Sequence, residues 1–302
     1  MTKFVGKHVS VKQHQRIEEC CTWIEFLADK EETKMKWYQA SSCKFRFCPM
    51  CAYRKTFRDS LMISVMMDYI ADVHKKSFIF VTLTAPNVKA DKLSEEISNY
   101  NKAFKRLLLR KEIVPINQGF VRKLEITYNA QRDDYHPHYH CIFAVDPGYF
   151  AGHSYLKQDK WLSLWREVMR DDIITQVDVR CVKKSNCRSN KAVNEIAKYA
   201  AKDADYLRSQ EIFDVFYNAL NRRQILTFGG LFKDAVKLYK DGKLDDYKES
   251  DMNEYHWLIM QYWTSNEYEE QRRRELTATE KELAAMGKRF DDLQALEDIV
   301  IR

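Results

Sequence analysis

The sequence predicts an α+β protein built around an antiparallel sheet, and three observations lead to this class. Segments in which apolar residues recur at strand spacing alternate along the chain with segments in which they recur at helical spacing. Between about residues 76 and 207 the order is strand, helix, strand, strand, helix, strand, followed by one more helix. This order is the split βαβ arrangement of ferredoxin-like and RNA-recognition-like folds, with both helices on one face of the sheet. Only 8 Gly and 5 Pro in 302 residues disfavour a loop-dominated chain.

The first elements follow a cysteine-rich start. A helix is predicted over 58–74 from an apolar stripe at helical spacing. The first strand of the sheet is predicted at 78–84, where the run FIFVTLT is rich in β-branched and aromatic residues. A long amphipathic helix then covers 93–108, with lysines and arginines opposite its apolar stripe.

A hairpin and three further elements complete the prediction. Residues 120–128 and 136–145 read as strands on either side of the polar loop NAQRDDY. A helix anchored by two tryptophans is expected at 155–170, and the last strand follows at 174–182. The final helix of this region is predicted over 191–207.

The chain is expected to have three regions that differ in composition and charge. These are a cysteine-rich segment with a helix at 1–75, the sheet region at 76–207, and a mostly helical region at 208–302 that ends in an acidic tail. The net charge of +6 hides an asymmetry, because residues 251–302 carry 7 basic and 12 acidic side chains. The first 250 residues carry 43 basic and 32 acidic ones, which suits a polyanionic partner such as nucleic acid. Many ordinary enzymes are equally basic.

The sequence also indicates the compartment. No apolar run approaches the roughly 20 residues of a membrane span, and the start MTKFVGKHVSVKQHQ lacks the apolar stretch of a secretory signal. We therefore expect a soluble cytoplasmic protein without a membrane partner. In a reducing compartment, clustered cysteines are more typical of a metal site than of disulfides.

Cysteines near the N-terminus predict a structural zinc site, because zinc prefers four soft ligands in a tetrahedron. The fourth ligand is either Cys20 or Cys21, and His14 is a poorer candidate. The alternative is a group of free thiols in the core. The other three ligands lie in the run CKFRFCPMC: Cys43, Cys48 and Cys51.

The run YHPHYHCIF predicts a second, catalytic metal site. On a strand, His138 and His140 project from the same face. If the hairpin is centred near Arg132, Glu125 lies opposite His138 and becomes a third ligand. Two imidazoles and a carboxylate leave open positions that suit Mn²⁺ or Mg²⁺ bound to a phosphate oxygen. His136 shares this face and is expected to support the ligands; a metal-free structural role is the alternative.

The predicted helix 191–207 carries a candidate nucleophile. A tyrosine oxygen can attack a phosphodiester to form a covalent phosphotyrosine, while a lysine offsets developing charge and a carboxylate activates water. An alanine-rich packing helix with exposed polar residues is the alternative. The polar side, opposite a small apolar face, consists of Glu195, Tyr199, Lys202 and Tyr206.

Taken in order, these motifs resemble those of the rolling-circle replication initiators of small Gram-positive bacterial plasmids, within the HUH endonuclease superfamily. The resemblance covers about residues 8–245. Cys21 stands where relatives often carry glycine, and the acidic tail has no recognised counterpart. The matching runs are FVTLTAPN (80–87), HPHYH (136–140), NEIAKYAAK (194–202), RRQILTFGG (222–230) and the cysteine-rich segment with Cys20 and KFRFCPMC (44–51).

The resemblance implies a function. Tyr199 would nick one strand of the plasmid double-strand origin and remain joined to the 5′ phosphate. The released 3′ hydroxyl would prime a host DNA polymerase while a host helicase unwinds ahead. Glu195 would stand in for the second catalytic tyrosine of two-tyrosine relatives and support termination, with Lys202 beside it. Asn87, at the end of the first motif, is expected to support the metal ligands together with His136.

Several points stay open at the level of sequence. One basic helix face either holds DNA phosphates or is merely solvated. Rival functions are an HUH-type transposase or relaxase, and a non-enzymatic zinc-dependent DNA-binding protein. The working form is a monomer or a homodimer. The basic face consists of Lys102, Lys105, Arg106, Arg110 and Lys111.

Overall fold

The computed structural model describes residues 1–150, 152, 155–182, 192–193, 196, 203–248, 253–285, 287 and 290. Its fold is α+β, as predicted, and contains two antiparallel sheets. The chain divides into two compact units. The central unit holds residues 52–247 together with Met1, and the terminal unit joins residues 2–51 to residues 248–302. This division differs from the three predicted regions, because the cysteine-rich segment folds together with the C-terminal region.

The strands of the described residues form one sheet in each unit. The terminal sheet has the order β2-β1-β8-β9, and the central sheet has the order β6-β3-β5-β4-β7, with antiparallel pairing between all neighbours. The strands are β1 (Trp23–Ala28), β2 (Met35–Ala40), β3 (Ser77–Thr84), β4 (Gly119–Asn129), β5 (Asp134–Val145), β6 (Val177–Cys181), β7 (Leu226–Gly230), β8 (Trp257–Trp263) and β9 (Tyr268–Glu275).

Two predicted helices of the central unit, 93–108 and 155–170, are found at Leu93–Leu108 and Gln158–Met169, whereas most of the predicted helix 191–207 lies outside the described residues. The longest described helix begins at Pro49, nine residues before its predicted start, because proline suits the first turn of a helix. None of the described helices is both long and apolar enough to cross a membrane. The helices are α1 (Thr2–Val5), α2 (Val11–Glu18), α3 (Pro49–Val73), α4 (Leu93–Leu108), α5 (Gln158–Met169), α6 (Asp203–Tyr206), α7 (Gln210–Leu220), α8 (Leu231–Lys240) and α9 (Ala278–Ala285).

The central sheet is covered on one face by α4 and α5. Tyr139 of β5 packs between the rings of Tyr100 and Phe104, whose centroids lie 5.3 and 5.8 Å away. The indole Nε1 of Trp165 donates to the carbonyl oxygen of Thr84 at 2.7 Å. These buried aromatic side chains dominate the energetics of this layer, since burying each one removes a large apolar area from water.

The other face of the central sheet carries His138 and His140, and we call it the histidine face. The half of this face farther from the β4–β5 turn, which we call its lower half, is apolar. Here Phe80 of β3 and Ile142 of β5 pack against residues of α3 and α8. Val193 and Ile196 are fully buried in the same cluster. The upper half of this face holds the polar residues described below.

The terminal sheet was not predicted. The sequence favoured a mostly helical region at 208–302, yet this region contains three strands. Of these, β7 joins the central sheet, and β8 and β9 join the terminal sheet. The edge strand β9 reads YEEQRRRE and is largely exposed, so it has no alternating apolar pattern that could reveal it. A small core stabilises this sheet: Leu27, Tyr255, Leu258, Leu276 and Ala284.

Candidate metal centres and the cleft beside the histidines

The hairpin of β4 and β5 brings three ligand-type side chains together on the histidine face. Glu125 pairs with His138 in the strand register, as the position of the predicted turn implies. Oε2 of Glu125 lies 3.6 Å from Nε2 of His138 and 3.0 Å from Nε2 of His140. All three residues are buried, so the carboxylate and the two imidazoles face one another largely away from solvent.

The sheet also fixes how the two imidazoles are turned. Nδ1 of His140 lies 3.3 Å from the hydroxyl oxygen of Thr82, which stands opposite it on β3. Nδ1 of His138 lies 3.2 Å from the carbonyl oxygen of His136. If each Nδ1–H donates to its oxygen, each Nε2 keeps its lone pair for a cation beside Glu125, which is the usual arrangement of metal-binding histidines.

The charge of the carboxylate fits the same role. Burial by itself raises the pKa of Glu125, but the hydrogen bonds and charges of His138 and His140 outweigh burial and lower the pKa overall. The carboxylate therefore stays ionised at neutral pH. The ligand atoms of the three residues lie within 4.8 Å of one another. Two nitrogens and one carboxylate suit a divalent ion that accepts both ligand types, such as Mn²⁺.

An open cleft of about 760 Å³ lies over these residues. Its floor is the upper half of the histidine face, and its far wall consists of β6 and the first turn of α5. The lining is mainly polar and includes side chains of every charge type. The lining residues are Thr82, Thr84, His136, His138, His140, Gln158, Asp159, Leu162, Thr175, Gln176, Val177, Asp178 and Arg180.

Sequence reasoning missed the residues that flank His140 across the sheet. Thr82 lies opposite His140 on one side and Lys123 on the other, and Asp178 lies beyond Thr82 on β6. Lys123 is buried although it is charged. The signal that could have found these residues is the rule that directly opposed residues share a face. For Lys123 the rule could have been applied, because the hairpin register that pairs Glu125 with His138 also pairs Lys123 with His140. For Thr82 and Asp178 it needs the register between β3, β5 and β6, and the long connections of this fold leave that register open.

Asn87 was expected to support the metal ligands. In the structure its side-chain amide donates to Oδ1 of Asp134 at 2.7 Å. Asp134 begins β5 and also lies 3.0 Å from the guanidinium of Arg132. The contact therefore stabilises the start of β5, directly after the turn of the hairpin and two residues before His136.

The proposed nucleophile and its partners, Tyr199, Glu195 and Lys202, lie outside the described residues. Ile196, which lies between Glu195 and Tyr199 in the sequence, packs in one cluster with Phe80 and Ile142 on the histidine face. After Lys202 in the sequence, the carboxylate of Asp205 accepts a hydrogen bond from the backbone N–H of Tyr128 at 3.3 Å. The described neighbours of this segment are thus attached to the sheet on both sides of the three candidate ligands.

Tyr206 was predicted on the polar side of the same helix, and this was wrong. Tyr206 is only 2% exposed. Its ring packs against those of Phe213 and Phe216, at centroid distances of 6.2 and 6.1 Å. The reason is that α7, which begins a few residues later, covers the end of α6.

The predicted basic face lies on α4, on the side of the sheet opposite the histidines, except that Arg110 and Lys111 follow the end of the helix at Leu108. Arg106 donates to the carbonyl oxygen of Val168, and Arg110 lies 2.9 Å from the carboxylate of Glu167. These two arginines therefore bind the end of α5. The remaining members of the face are exposed: Lys102, Lys105 and Lys111.

Four cysteines of the terminal unit form a second cluster. Their Sγ atoms lie 3.5 Å apart for Cys20 and Cys51, and 3.6 Å apart for both Cys43 with Cys51 and Cys20 with Cys48. A tetrahedron with Zn–S bonds of about 2.3 Å has edges of about 3.8 Å, so the spacing fits zinc. The pKa of Cys51 is lowered by hydrogen bonds from the other three thiols, which favours a thiolate in the cluster.

The structure also separates Cys20 from Cys21. Only Cys20 belongs to the group of four whose sulfurs converge. Cys21 has a φ of 60°, in the left-handed region that favours glycine, and its N–H donates to the carbonyl oxygen of Ser41 at 2.8 Å. Glycine would adopt this conformation without the strain that a side chain brings, so the position favours glycine on conformational grounds.

Comparison with known proteins gives a consistent result. Residues 34–274 match the family model described as “Replication protein”. A “Protein rep” of Staphylococcus aureus is 48% identical over 206 residues, which are 68% of this chain and 89% of that protein. A “Protein rep” of Bacillus amyloliquefaciens is 35% identical over 273 residues, or 83% of this chain and 79% of that protein. No solved structure matches the chain.

Proposed function

Because the chain belongs to the family of plasmid replication proteins of Gram-positive bacteria, we propose that it initiates rolling-circle replication by nicking origin DNA. The observation that carries this proposal is the group of Glu125, His138 and His140 at the floor of an open cleft. Such a group is suited to a divalent ion that contacts a phosphate. Under this proposal the strand to be cut enters the cleft as single-stranded DNA, so a duplex origin would have to be locally opened to reach it.

The chemistry exchanges one phosphodiester for another. The phenolic oxygen of Tyr199 attacks the phosphorus, and the bond from phosphorus to the 3′ oxygen breaks. The phenolic proton is lost and the departing 3′ oxygen gains one, so the products are a 5′-phosphotyrosine and a free 3′ hydroxyl. A divalent ion bound to the three ligands would withdraw charge from a non-bridging oxygen. Lys202 offsets the developing charge, and Glu195 activates a hydroxyl or water in the terminating step.

Two features of the structure support this assignment. Ile196, three residues before Tyr199, packs on the histidine face beside Phe80. In addition, β3 to β6 are arranged in the order β6-β3-β5-β4, which matches the order expected for a split βαβ sheet. Ile196, the one described residue of the nucleophile motif, therefore packs on the same face of the sheet as the histidine motif.

The proposal includes the other components of the reaction. Zinc in the group of Cys20, Cys43, Cys48 and Cys51 would be structural, because four thiolates close its coordination shell. The partners are the plasmid double-strand origin, and the host helicase and DNA polymerase that use the 3′ hydroxyl. The setting is the bacterial cytoplasm.

The proposal is tested by incubating the full-length protein with Mn²⁺ and single-stranded oligonucleotides that tile the origin of its plasmid. We expect a covalent protein–DNA adduct that is lost in Tyr199→Phe and kept in Tyr206→Phe, since Tyr206 is buried. An adduct that persists in Tyr199→Phe would refute the assignment of the nucleophile. No adduct with the wild type would favour a non-enzymatic DNA-binding protein.

A second measurement asks whether the 3′ hydroxyl left at the nick primes DNA synthesis, as initiation requires. A supercoiled plasmid carrying the origin is nicked by the protein and then supplied with a DNA polymerase and labelled nucleotides. An initiator leaves a 3′ end that is extended from the nick. Nicking without extension would count against initiation.

A further inference from the structure

Arg180 lines the cleft from the edge strand β6, and its side chain is held in place on two sides. Its guanidinium lies over the ring of Phe80, 4.8 Å from the centroid. Its Nε lies 2.7 Å from Oδ2 of Asp178. Phe80 is almost fully buried and its ring stacks on that of His140 at 5.5 Å. The guanidinium, the phenyl ring and the imidazole therefore form a row that runs from β6 toward the three candidate ligands.

The charges of the lining indicate what Arg180 can do. Among the described lining residues Arg180 is the only lysine or arginine, whereas Asp159 and Asp178 are both acidic. Its side chain is 40% exposed, so a ligand in the cleft can reach it. Asp178 forms an ion pair at Nε, and the N–H donors of the two terminal nitrogens of a guanidinium match the oxygens of a phosphate.

The sheet sets the distance between Arg180 and the candidate ligands. Arg180 lies opposite Phe80 on β3, and His140 lies on β5 beyond it. Two strand spacings separate β6 from β5, which is roughly 10 Å. The side chains span a similar distance, because the guanidinium lies 4.8 Å from the Phe80 centroid and that centroid lies 5.5 Å from the His140 ring. This distance is too long for Arg180 to share one phosphate with the three ligands and suits a neighbouring phosphate of the same strand.

We infer that Arg180 is a positioning residue that binds a backbone phosphate of the single strand next to the phosphate to be cut. This inference rests on the proposed nicking function. Phe80 and Asp178 orient the guanidinium before DNA arrives, so little side-chain freedom is lost on binding. A purely structural role, in which Arg180 only covers Phe80, is the alternative that the experiment must exclude.

The experiment measures binding of single-stranded origin oligonucleotides to the Tyr199→Phe protein in Mn²⁺, so that no cleavage occurs. Adding Arg180→Gln is expected to lower the affinity about tenfold or more, since a hydrogen-bonded charge pair is lost. The slope of log K against log salt should also fall by about 0.7, the value for one single-strand phosphate. Arg180→Lys should restore part of the slope, because the charge is kept while the paired donors are not.

Replacing single phosphates by neutral methylphosphonates then locates the contact. In the parent protein one position beside the cut site should weaken binding, and in Arg180→Gln the same replacement should have no further effect. The matched control is Arg132→Gln, because Arg132 also pairs through Nε with an aspartate two residues away, at 3.0 Å, but lies at the hairpin turn. The control should retain both the slope and the sensitive position.

The inference would be overturned if the parent protein and Arg180→Gln showed the same salt dependence of DNA binding and the same sensitivity to methylphosphonate replacement. This holds even if Arg180→Gln were less stable. That outcome is distinct from failure of the proposed function. If the wild type forms no adduct with DNA, the nickase proposal itself is wrong; if it forms the adduct and Arg180→Gln binds normally, only the role of Arg180 is wrong.

Discussion

Replacing Thr82 with valine tests whether the sheet orients the proposed metal ligands. The change removes one hydroxyl and keeps the shape of the side chain. The hydroxyl oxygen lies 3.3 Å from Nδ1 of His140, whose Nε2 lies 3.0 Å from the carboxylate of Glu125. Without it, Nδ1 loses the acceptor that fixes the ring and its tautomer.

The expected magnitude follows from that contact. A neutral hydrogen bond contributes about 0.5–1.5 kcal/mol net, and partners of metal-binding histidines typically affect metal affinity by about 10–100-fold. A distance of 3.3 Å is long for such a bond. We therefore expect the lower end, a loss of about tenfold in Mn²⁺ affinity, or about 1.4 kcal/mol.

The assay is a calorimetric titration of the zinc-loaded, Mn²⁺-free protein with Mn²⁺. The matched control is Thr84→Val, since Thr84 lies two residues further along the same strand, opposite His138. Its hydroxyl donates to the carbonyl oxygen of Gln176 at 2.9 Å instead of to a histidine. Unchanged affinity in Thr82→Val, or an equal loss in both variants, would refute the reasoning.

Two further predictions concern the terminal unit. Metal analysis should find about one zinc per chain that is lost in Cys48→Ser and kept in His138→Ala; a wild type without zinc would contradict the site. The hydrogen bonds of Arg274, together with those of Thr277, lower the pKa of Glu280 to about 2. Since this folded-state value lies below the ordinary one, the stabilisation is complete above about pH 4.5 and is lost as the pH falls toward 2. The difference in unfolding free energy between wild type and Glu280→Gln, measured by urea denaturation, should therefore shrink over this range, and a constant difference would argue against it.

The sequence was informative wherever the relevant geometry is local. The pairing of Glu125 with His138 follows from a short turn, because counting outward from its centre gives the register of a hairpin. The cysteine spacing likewise indicates three members of the cluster of four within nine residues. Which of Cys20 and Cys21 completes the group depended on a backbone with positive φ, and no spacing rule reveals that.

Long-range features could not be predicted in the same way. Thr82, Asp178 and Arg180 join the histidines only through pairings between strands that are far apart in sequence. In the terminal sheet, β1 pairs with β8, which lies more than two hundred residues later in the sequence. The residues of one strand therefore do not indicate which strand will pair with its edge. Helical phase also failed at Tyr206, where packing against α7 decided the environment of the side chain.

The pairing of β1 with β8 has a consequence for how the protein is made. β1 ends at Ala28 and β8 begins at Trp257, so the ribosome must add more than two hundred residues before the pair can form. Protein synthesis adds about 5–20 residues per second, so one edge of β1 stays unpaired for roughly 10–45 s before β8 is made. The four clustered cysteines all lie within residues 20–51. Zinc uptake during synthesis could therefore hold the nascent N-terminal segment together until its last strands emerge.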